Sequence, residues 1–169
     1  MNSINILILG PIMAGKTAYI NRLTLGEFNV TYNHTNGEVI YEDTTIGNIT
    51  VKFYESAQLS NIDANVDFIF VMFDKSSKTS YDRIGQYIAL AKSLNKPFVI
   101  LGNKVDKGIN AVSRYIIQDL ITKEEAQYYD ISAKSCFNFE RPIIDAIHHK
   151  FGNHVQIFDL EKSADLNSR

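Results

Sequence analysis

Short apolar runs along the chain alternate with stretches in which apolar residues recur at helical spacing. The runs predict six strands, at Ile4–Leu9, Val39–Tyr41, Ile49–Tyr54, Phe68–Phe73, Phe98–Leu101 and Tyr128–Ile131. Most of these strands are apolar on both sides, and amphipathic stretches separate them. This combination predicts an α/β fold in which a mainly parallel sheet is covered by helices on both faces.

Four stripes of apolar residues define the predicted helices. They consist of Ile20 and Leu23; Tyr81, Ile84, Ile88 and Ala91; Val112, Tyr115, Ile116 and Leu120; and Ile143, Ile144, Ile147 and Phe151. The second and third strands depart from this alternation, because Ile46-Gly47-Asn48 between them is long enough only for a hairpin. We therefore expect one antiparallel strand at an edge of the sheet.

The size and composition of the chain limit the classes of protein to consider. Its 169 residues suit one domain, expected at residues 1–152, with a polar tail at 153–169. A formal net charge of −2 argues against nucleic-acid binding. The single cysteine, Cys136, cannot close an intramolecular disulfide, and neither a secretory signal nor a membrane span is recognisable. We expect an intracellular protein, in the cytoplasm, the nucleus or both, without a membrane anchor.

The loop after the first predicted strand carries a phosphate-binding signature. It reads GPIMAGKT over residues 10–17, which fits G-x-x-x-x-G-K-[ST] between a strand and a helix. In such a loop, backbone N–H groups bind phosphate, the lysine reaches the β- and γ-phosphates, and the hydroxyl ligates Mg²⁺. Thr17 is therefore a candidate metal ligand, and Lys16 is also a candidate catalytic residue. Phosphate binding is assigned to Pro11, Ile12, Met13, Ala14, Gly15, Lys16, Thr17 and Ala18.

Two residues of this loop, Ile12 and Met13, are bulky where loops that support efficient hydrolysis usually carry small residues. A branched side chain at Ile12 is expected to project toward the γ-phosphate, where the attacking water and its orienting side chain must fit. We therefore expect nucleoside triphosphate binding to persist while hydrolysis is weakened. The loop after the fourth strand is less informative, because Asp74 has no partner recognisable in the sequence and is interpreted as a turn former.

Two later loops carry candidate base-specificity residues. A carboxylate at Asp106 accepts both the N1–H and the exocyclic amine of guanine, which adenine cannot match. Asn103 is expected to tie the loops together and contact N7, the stem of Lys104 to cover the ring, and the Ala133 N–H to meet the guanine carbonyl. Base and ribose binding is assigned to Asn103, Lys104, Asp106, Ser132, Ala133 and Lys134. These loops predict GTP or GDP as the ligand.

The three loops follow three different strands, in an order that resembles the Ras superfamily of small GTPases. Within the superfamily the chain looks most like the Ran family, on residues 26–28, 32–35, 102–106, 127–135 and 138–140. The resemblance covers about residues 3–152 and implies the G-domain fold of P-loop NTPases. It also implies that Phe28 stacks on the guanine, and that Thr35, in the first switch, ligates Mg²⁺ and senses the γ-phosphate.

The segment after the third strand departs from the Asp-Thr-Ala-Gly-Gln of the family, because here it reads ESAQL over residues 55–59. By the resemblance, Glu55 holds Mg²⁺ through a water, with one methylene more than the aspartate of the family. Without a gap, Gln58 replaces the glycine that binds the γ-phosphate and Leu59 replaces the catalytic glutamine. With a one-residue gap, Gln58 is that glutamine and a catalytic candidate. Both alignments stay open.

The second switch is also short. Roughly a dozen positions separate Glu55 from the next strand near Asp67, fewer than the fifteen or so that a three-turn helix and its connections need. We expect this helix to be missing or cut to one turn. The basic run that precedes Tyr-Tyr-Asp in Ran is replaced by TKEE at residues 122–125, and the acidic C-terminal extension of Ran is absent from this sequence.

Two functions fit these residues. We favour a monomeric Ran-like protein that holds GTP or GDP with Mg²⁺, hydrolyses GTP weakly or not at all, and presents its surface to karyopherins, Ran-binding proteins or an exchange factor. The alternative is a cycling Ran-type GTPase in nucleocytoplasmic transport. A nucleotide-free scaffold fits less well, because Lys16, Thr17, Asn103 and Asp106 are all present. The losses in the switches suit a viral or parasite copy of a host protein.

Overall fold

The computed structural model describes residues 2–26, 40–46, 48–58 and 65–153. Its strands are β1 (Asn2–Leu9), β2 (Ile40–Ile46), β3 (Ile49–Ser56), β4 (Phe68–Asp74), β5 (Phe98–Asn103) and β6 (Gln127–Asp130). Its helices are α1 (Lys16–Leu25), α2 (Lys78–Asp82), α3 (Ile84–Ser93), α4 (Arg114–Glu124) and α5 (Arg141–Phe151), and Val105–Lys107 forms a 3-10 turn. The six strands form one sheet in the order β2-β3-β1-β4-β5-β6.

The sheet is parallel except at one edge. β1 pairs in parallel with β3 along its whole length and with β4 on its other side, and β5 and β6 continue the parallel part. β2 is antiparallel to β3, with Ile40 opposite Glu55 and Ile46 opposite Ile49. The predicted six-stranded, mainly parallel sheet with one antiparallel edge strand is therefore confirmed.

The alternation of side chains along β1 divides the core between the two faces of the sheet. Ile4, Ile6 and Ile8 belong to a buried cluster beneath α1 and α5, whereas Leu7 and Leu9 belong to one beneath α3 and α4. The helices contribute Tyr19, Ile20, Ile143 and Ile147 to the first cluster and Ile84, Ile88, Ile117 and Leu120 to the second. Helices on both faces, predicted from the apolar strands, are confirmed.

The structure corrects the predicted elements at three places. β2 extends past Tyr41, because an edge strand pairs through its backbone and can carry the polar residues that ended the apolar run. The stripe from Tyr81 to Ala91 spans two helices that are separated at Arg83. Its apolar residues pack into the same cluster on both sides of this break, so their spacing did not reveal it. Tyr115, predicted to face the core, is 89% exposed, and Ile117 is buried instead.

Several predictions concern residues outside the described ranges. The second-switch helix, expected to be missing or shortened, would fall on residues 59–64, and the described residues 57–58 and 65–67 on either side are not helical. The assignments of Phe28, Thr35 and the polar tail after residue 153 also lie outside those ranges and stay predictions. Among the helices described, none is both long enough and apolar enough to cross a bilayer.

Candidate functional site

The candidate site lies at the rim where the parallel strands have their carboxyl ends. In the sheet, β2 and β3 lie on one side of β1, and β4, β5 and β6 lie on the other. Where the strand order reverses in this way, the loops at the carboxyl ends diverge and open a crevice. The phosphate loop follows β1, the Glu55 segment ends β3, and the two base loops follow β5 and β6. The fold therefore brings together loops that are far apart in sequence.

Two glycines allow the phosphate loop to pack closely against its neighbours. A Cβ at Gly10 would lie 2.1 Å from the Met72 carbonyl oxygen of β4. A Cβ at Gly15 would lie 2.4 Å from Asn103 Nδ2, and the φ of Gly15 is +98°. Since no other residue tolerates both the contact and this backbone conformation, the motif spacing fixes the path of the loop to the start of α1. The N–H groups at that helix N-terminus are available to an anion.

Lys16 is a buried cation inside the phosphate loop. Its Nζ donates to the carbonyl oxygens of Gly10 at 3.0 Å and Pro11 at 3.2 Å, and the residue is only 7% exposed. Burial lowers the pKa of the Lys16 ammonium, and the nearby Glu55 carboxylate offsets part of that effect. An anionic phosphate at the mouth of the loop would favour the charged form further.

Thr17 and Glu55 form the candidate metal site. Thr17 Oγ1 donates to Glu55 Oε1 at 2.7 Å, and Glu55 is buried at the end of β3. A hydroxyl beside a buried carboxylate is the hard oxygen donor set that Mg²⁺ prefers, so these residues fit the ion. When bound, Mg²⁺ would supply positive charge to the phosphate oxygens. The longer Glu55 side chain still reaches Thr17, whereas the third predicted ligand, Thr35, lies outside the described residues.

The phosphate loop also exposes two apolar side chains. Pro11 and Ala14 are buried, and the Ala14 N–H donates to the Pro11 carbonyl oxygen at 3.2 Å. Ile12 and Met13 between them are 48% and 59% exposed, and Met13 has a φ of +67°. The bulk noted in the sequence therefore lies at the surface of the protein and not in the core.

The segment after β3 turns immediately. The Gln58 N–H donates to Ser56 Oγ at 2.9 Å, and the Tyr87 hydroxyl donates to the Ala57 carbonyl oxygen at 2.9 Å. The Gln58 side chain is exposed, and Leu59 lies outside the described residues. The choice between the two alignments of Gln58 therefore stays open.

Asn103 joins the base loops to the phosphate loop. Its Nδ2 donates to the Ala14 carbonyl oxygen at 3.0 Å, and its Oδ1 accepts from the backbone N–H of Lys104 at 2.8 Å and of Ala133 at 3.2 Å. The side chain is buried. This is the tying role expected from the sequence, although the Ala133 N–H, expected to meet the guanine carbonyl, here donates to Asn103.

The base loops enclose a pocket of about 250 Å³ next to the phosphate loop. It is lined by Gly15, Ala18, Asn103, Lys104, Asp106, Lys107, Ala133 and Lys134. The buried Ser132 hydroxyl donates to Asp106 Oδ1 at 2.6 Å and fixes the carboxylate expected to read guanine. Ala18, assigned to phosphate binding, lines this pocket as well. Of the base-site residues predicted on the described part of the chain, all but Ser132 line this pocket, and Ser132 contacts it through Asp106.

Two residues that sequence reasoning did not assign to the site support this pocket. Asp74 Oδ2 accepts from Lys104 Nζ at 2.9 Å, so Asp74 has a partner beyond its own turn. Arg22 of α1 donates through Nε to the Ala133 carbonyl oxygen and through an Nη to that of Lys134, both at 3.0 Å. Neither role had a sequence signal, because each contact joins segments that meet only in the folded chain.

The lysine-bearing phosphate loop beside a pocket that contains a carboxylate, on a mainly parallel sheet, defines a P-loop nucleotide-binding domain. A sequence model of the Ras family matches residues 5–151. The protein belongs to the Ras family and is a GTP-binding small GTPase domain. The expected superfamily and G-domain fold are confirmed, and members of this family bind GTP or GDP, typically with Mg²⁺.

Proposed function

We propose that the protein is a Ran-like binder of GTP or GDP with Mg²⁺ that hydrolyses GTP weakly or not at all. The bonding of the Gln58 N–H carries this proposal. In the ungapped alignment this N–H stands where the glycine of the family binds the γ-phosphate, and it donates to Ser56 Oγ at 2.9 Å. A donor already bonded within its own turn must break that bond before it binds phosphate, which weakens γ-phosphate sensing.

The phosphate loop supports the same proposal. Ile12 is a branched side chain, 48% exposed, on the loop that we expect to hold the phosphates. Hydrolysis of GTP depends on positioning a water and stabilising charge on the γ-phosphate, so bulk that displaces the water lowers the rate more than it lowers binding. Nucleotide binding and slow hydrolysis are therefore compatible in one protein.

Single-turnover phosphate release tests the hydrolysis proposal. The protein loaded with GTP and started with Mg²⁺ should release phosphate at least about tenfold more slowly than the intrinsic rate, on the order of 10⁻⁴ s⁻¹, of an unassisted Ras-type GTPase. Gln58→Gly combined with Leu59→Gln rebuilds the Gly-Gln pair of the family in the ungapped alignment and should accelerate release. Gln118→Ala, an exposed change on α4, should leave it unchanged.

A cycling GTPase in nucleocytoplasmic transport is the second candidate, and the exposed Gln58 side chain favours it. In the gapped alignment this side chain orients the attacking water. Wild-type release at or above the Ras-type rate, lost in Gln58→Ala, would establish the cycling enzyme and overturn the slow-hydrolysis proposal.

The Ran-like partners are the remaining part of the proposal. Its support is the Ran-like residues 127–135 and 138–140, which form β6 and the loop that contributes Ala133 and Lys134 to the base pocket. We expect karyopherins, Ran-binding proteins or an exchange factor to bind the nucleotide-loaded monomer in the cytoplasm or nucleus of the host of a viral or parasite copy. Calorimetric titration of the GTP-loaded protein with a purified importin-β-type karyopherin should show binding. No heat change beside a positive Ran control would contradict it.

A further inference from the structure

Asp74 closes β4 at the rim between the phosphate loop and the base loops. Its Oδ1 accepts from the Ser76 N–H at 2.9 Å and from the Ser76 hydroxyl at 2.5 Å, as in a turn-forming aspartate. Its Oδ2 is directed elsewhere and accepts from Lys104 Nζ at 2.9 Å. The Asp74 side chain is 10% exposed and the Lys104 side chain 24%, so the ion pair between them is partly shielded from solvent.

Lys104 is held at two points by residues from different loops. Besides its contact with Asp74, its Nζ donates to the Met13 carbonyl oxygen of the phosphate loop at 2.6 Å. The backbone of Lys104 has a φ of +68°, and the residue lines the base pocket. A lysine side chain has a flexible stem, so its position beside the base depends on what holds the ammonium group.

We propose that Asp74 is a positioning residue for nucleotide retention. Its carboxylate orients the Lys104 ammonium against the phosphate loop, which places the lysine stem along the base pocket and keeps the two loops at a fixed separation. A side chain already ordered before binding loses less conformational freedom when the nucleotide enters, and releases the nucleotide more slowly. This inference rests on guanine nucleotide binding at the pocket and does not depend on slow hydrolysis.

The electrostatics of Asp74 agree with this role. Burial alone would raise the pKa of the Asp74 carboxyl, but the hydrogen bonds from Ser76 and Lys104 outweigh it and lower the pKa. The group is therefore ionised at neutral pH. Lys107 Nζ lies 3.6 Å from Asp74 Oδ2 and donates to Ser76 Oγ at 3.2 Å, so a second cation faces the same carboxylate from the 3-10 turn.

The experiment measures dissociation of a fluorescent GDP analogue from the full chain with Mg²⁺, after addition of excess GDP. Asp74→Asn keeps the shape of the side chain and removes its charge, and should accelerate dissociation about tenfold or more. Lys104→Met should act in the same direction, and the double variant should dissociate no faster than Lys104→Met alone. If Asp74→Asn does not fold, Asp74→Ser takes its place in this double-mutant cycle, because a serine hydroxyl can still accept from the Ser76 N–H.

Asp82→Asn is the matched control, because Asp82 pairs with Lys78 on the exposed side of α2 and should leave dissociation within about twofold of wild type. Normal dissociation in the Asp74 variants, or additive effects in the double variant, would overturn the inference. A merely structural role of Asp74 would lower the thermal unfolding midpoint without this non-additivity. Failure of the wild-type protein to bind the analogue would overturn guanine binding itself. If the Asp74 and Lys104 changes are non-additive but the wild-type protein hydrolyses GTP quickly, only the slow-hydrolysis proposal is overturned.

Discussion

The base end of the site and the end at β3 differ in where their polar groups are bonded. At the base end, Asn103 links three segments, and Ser132 holds Asp106 in the pocket. At the β3 end, Glu55 still reaches Thr17, but the Gln58 N–H is bonded within its own turn and Ile12 is exposed. Base recognition and γ-phosphate chemistry thus depend on separate loops, so one can change while the other keeps its geometry.

Removing the cation of the phosphate loop should have the largest effect. Lys16→Met keeps the length of the side chain and removes its charge, and should reduce GDP affinity about a thousandfold, since breaking a buried ionic contact costs about 4 kcal/mol. Equilibrium titration with a fluorescent GDP analogue measures this change. Lys92→Met, which removes an exposed partner of Glu124, is the control. Affinity within tenfold of wild type would mean that the base end alone anchors the nucleotide.

A methyl group added at Gly15, where the phosphate loop contacts the base loops, should disturb both loops. Gly15→Ala places a Cβ 2.4 Å from Asn103 Nδ2 on a backbone with φ +98°, and should lower the free energy of unfolding by about 3 kcal/mol. Urea denaturation measures this loss. At Gly85, on the exposed side of α3, a Cβ would meet nothing within 4 Å, so Gly85→Ala should instead stabilise the protein by about 0.5 kcal/mol. Equal stability of Gly15→Ala and wild type would show that the loops are not in close contact.

Changing the base-reading carboxylate should have the smallest effect of the three and should leave the phosphate end intact. Asp106→Asn should weaken GTP binding about a hundredfold and favour xanthosine triphosphate, because the amide donates to the carbonyl that xanthine presents. The Ser132 hydroxyl can still donate to the amide oxygen and hold the side chain in place. Competition titrations with GTP and xanthosine triphosphate measure this change in base preference, and Asp119→Asn on α4 is the control. Unchanged base preference would remove Asp106 from the base site.

The main elements of the site could be predicted because each chemical role demands particular residue types after a strand. The phosphate loop needs glycines at Gly10 and Gly15, and guanine needs a carboxylate such as Asp106, so local sequence is sufficient. The supporting contacts could not be predicted in this way. Lys104 meets Asp74 across 30 positions and Arg22 meets Ala133 across 111, and only the packed sheet brings these pairs together.

The same distinction holds for the fold. The central strands β1 and β4 were predicted to within two residues at each end, because the parts of them that are buried on both faces are almost entirely apolar. The edge strand β2 was predicted too short, since it pairs with β3 on one side only and its polar residues carry no strand signal. Tyr115 fitted a helical stripe by spacing alone, but the position of α4 against the sheet turned it outward.

The central position of β1 has a consequence during synthesis on the ribosome. This strand leaves the exit tunnel before either of its partners has emerged, because β3 begins at Ile49 and β4 at Phe68. At typical translation rates, about 3 to 12 s pass between the emergence of Leu9 and that of Phe68. For that time the isoleucine and leucine side chains of β1 lack the packing partners that bury them in the fold, so we expect a cotranslational chaperone to bind this segment.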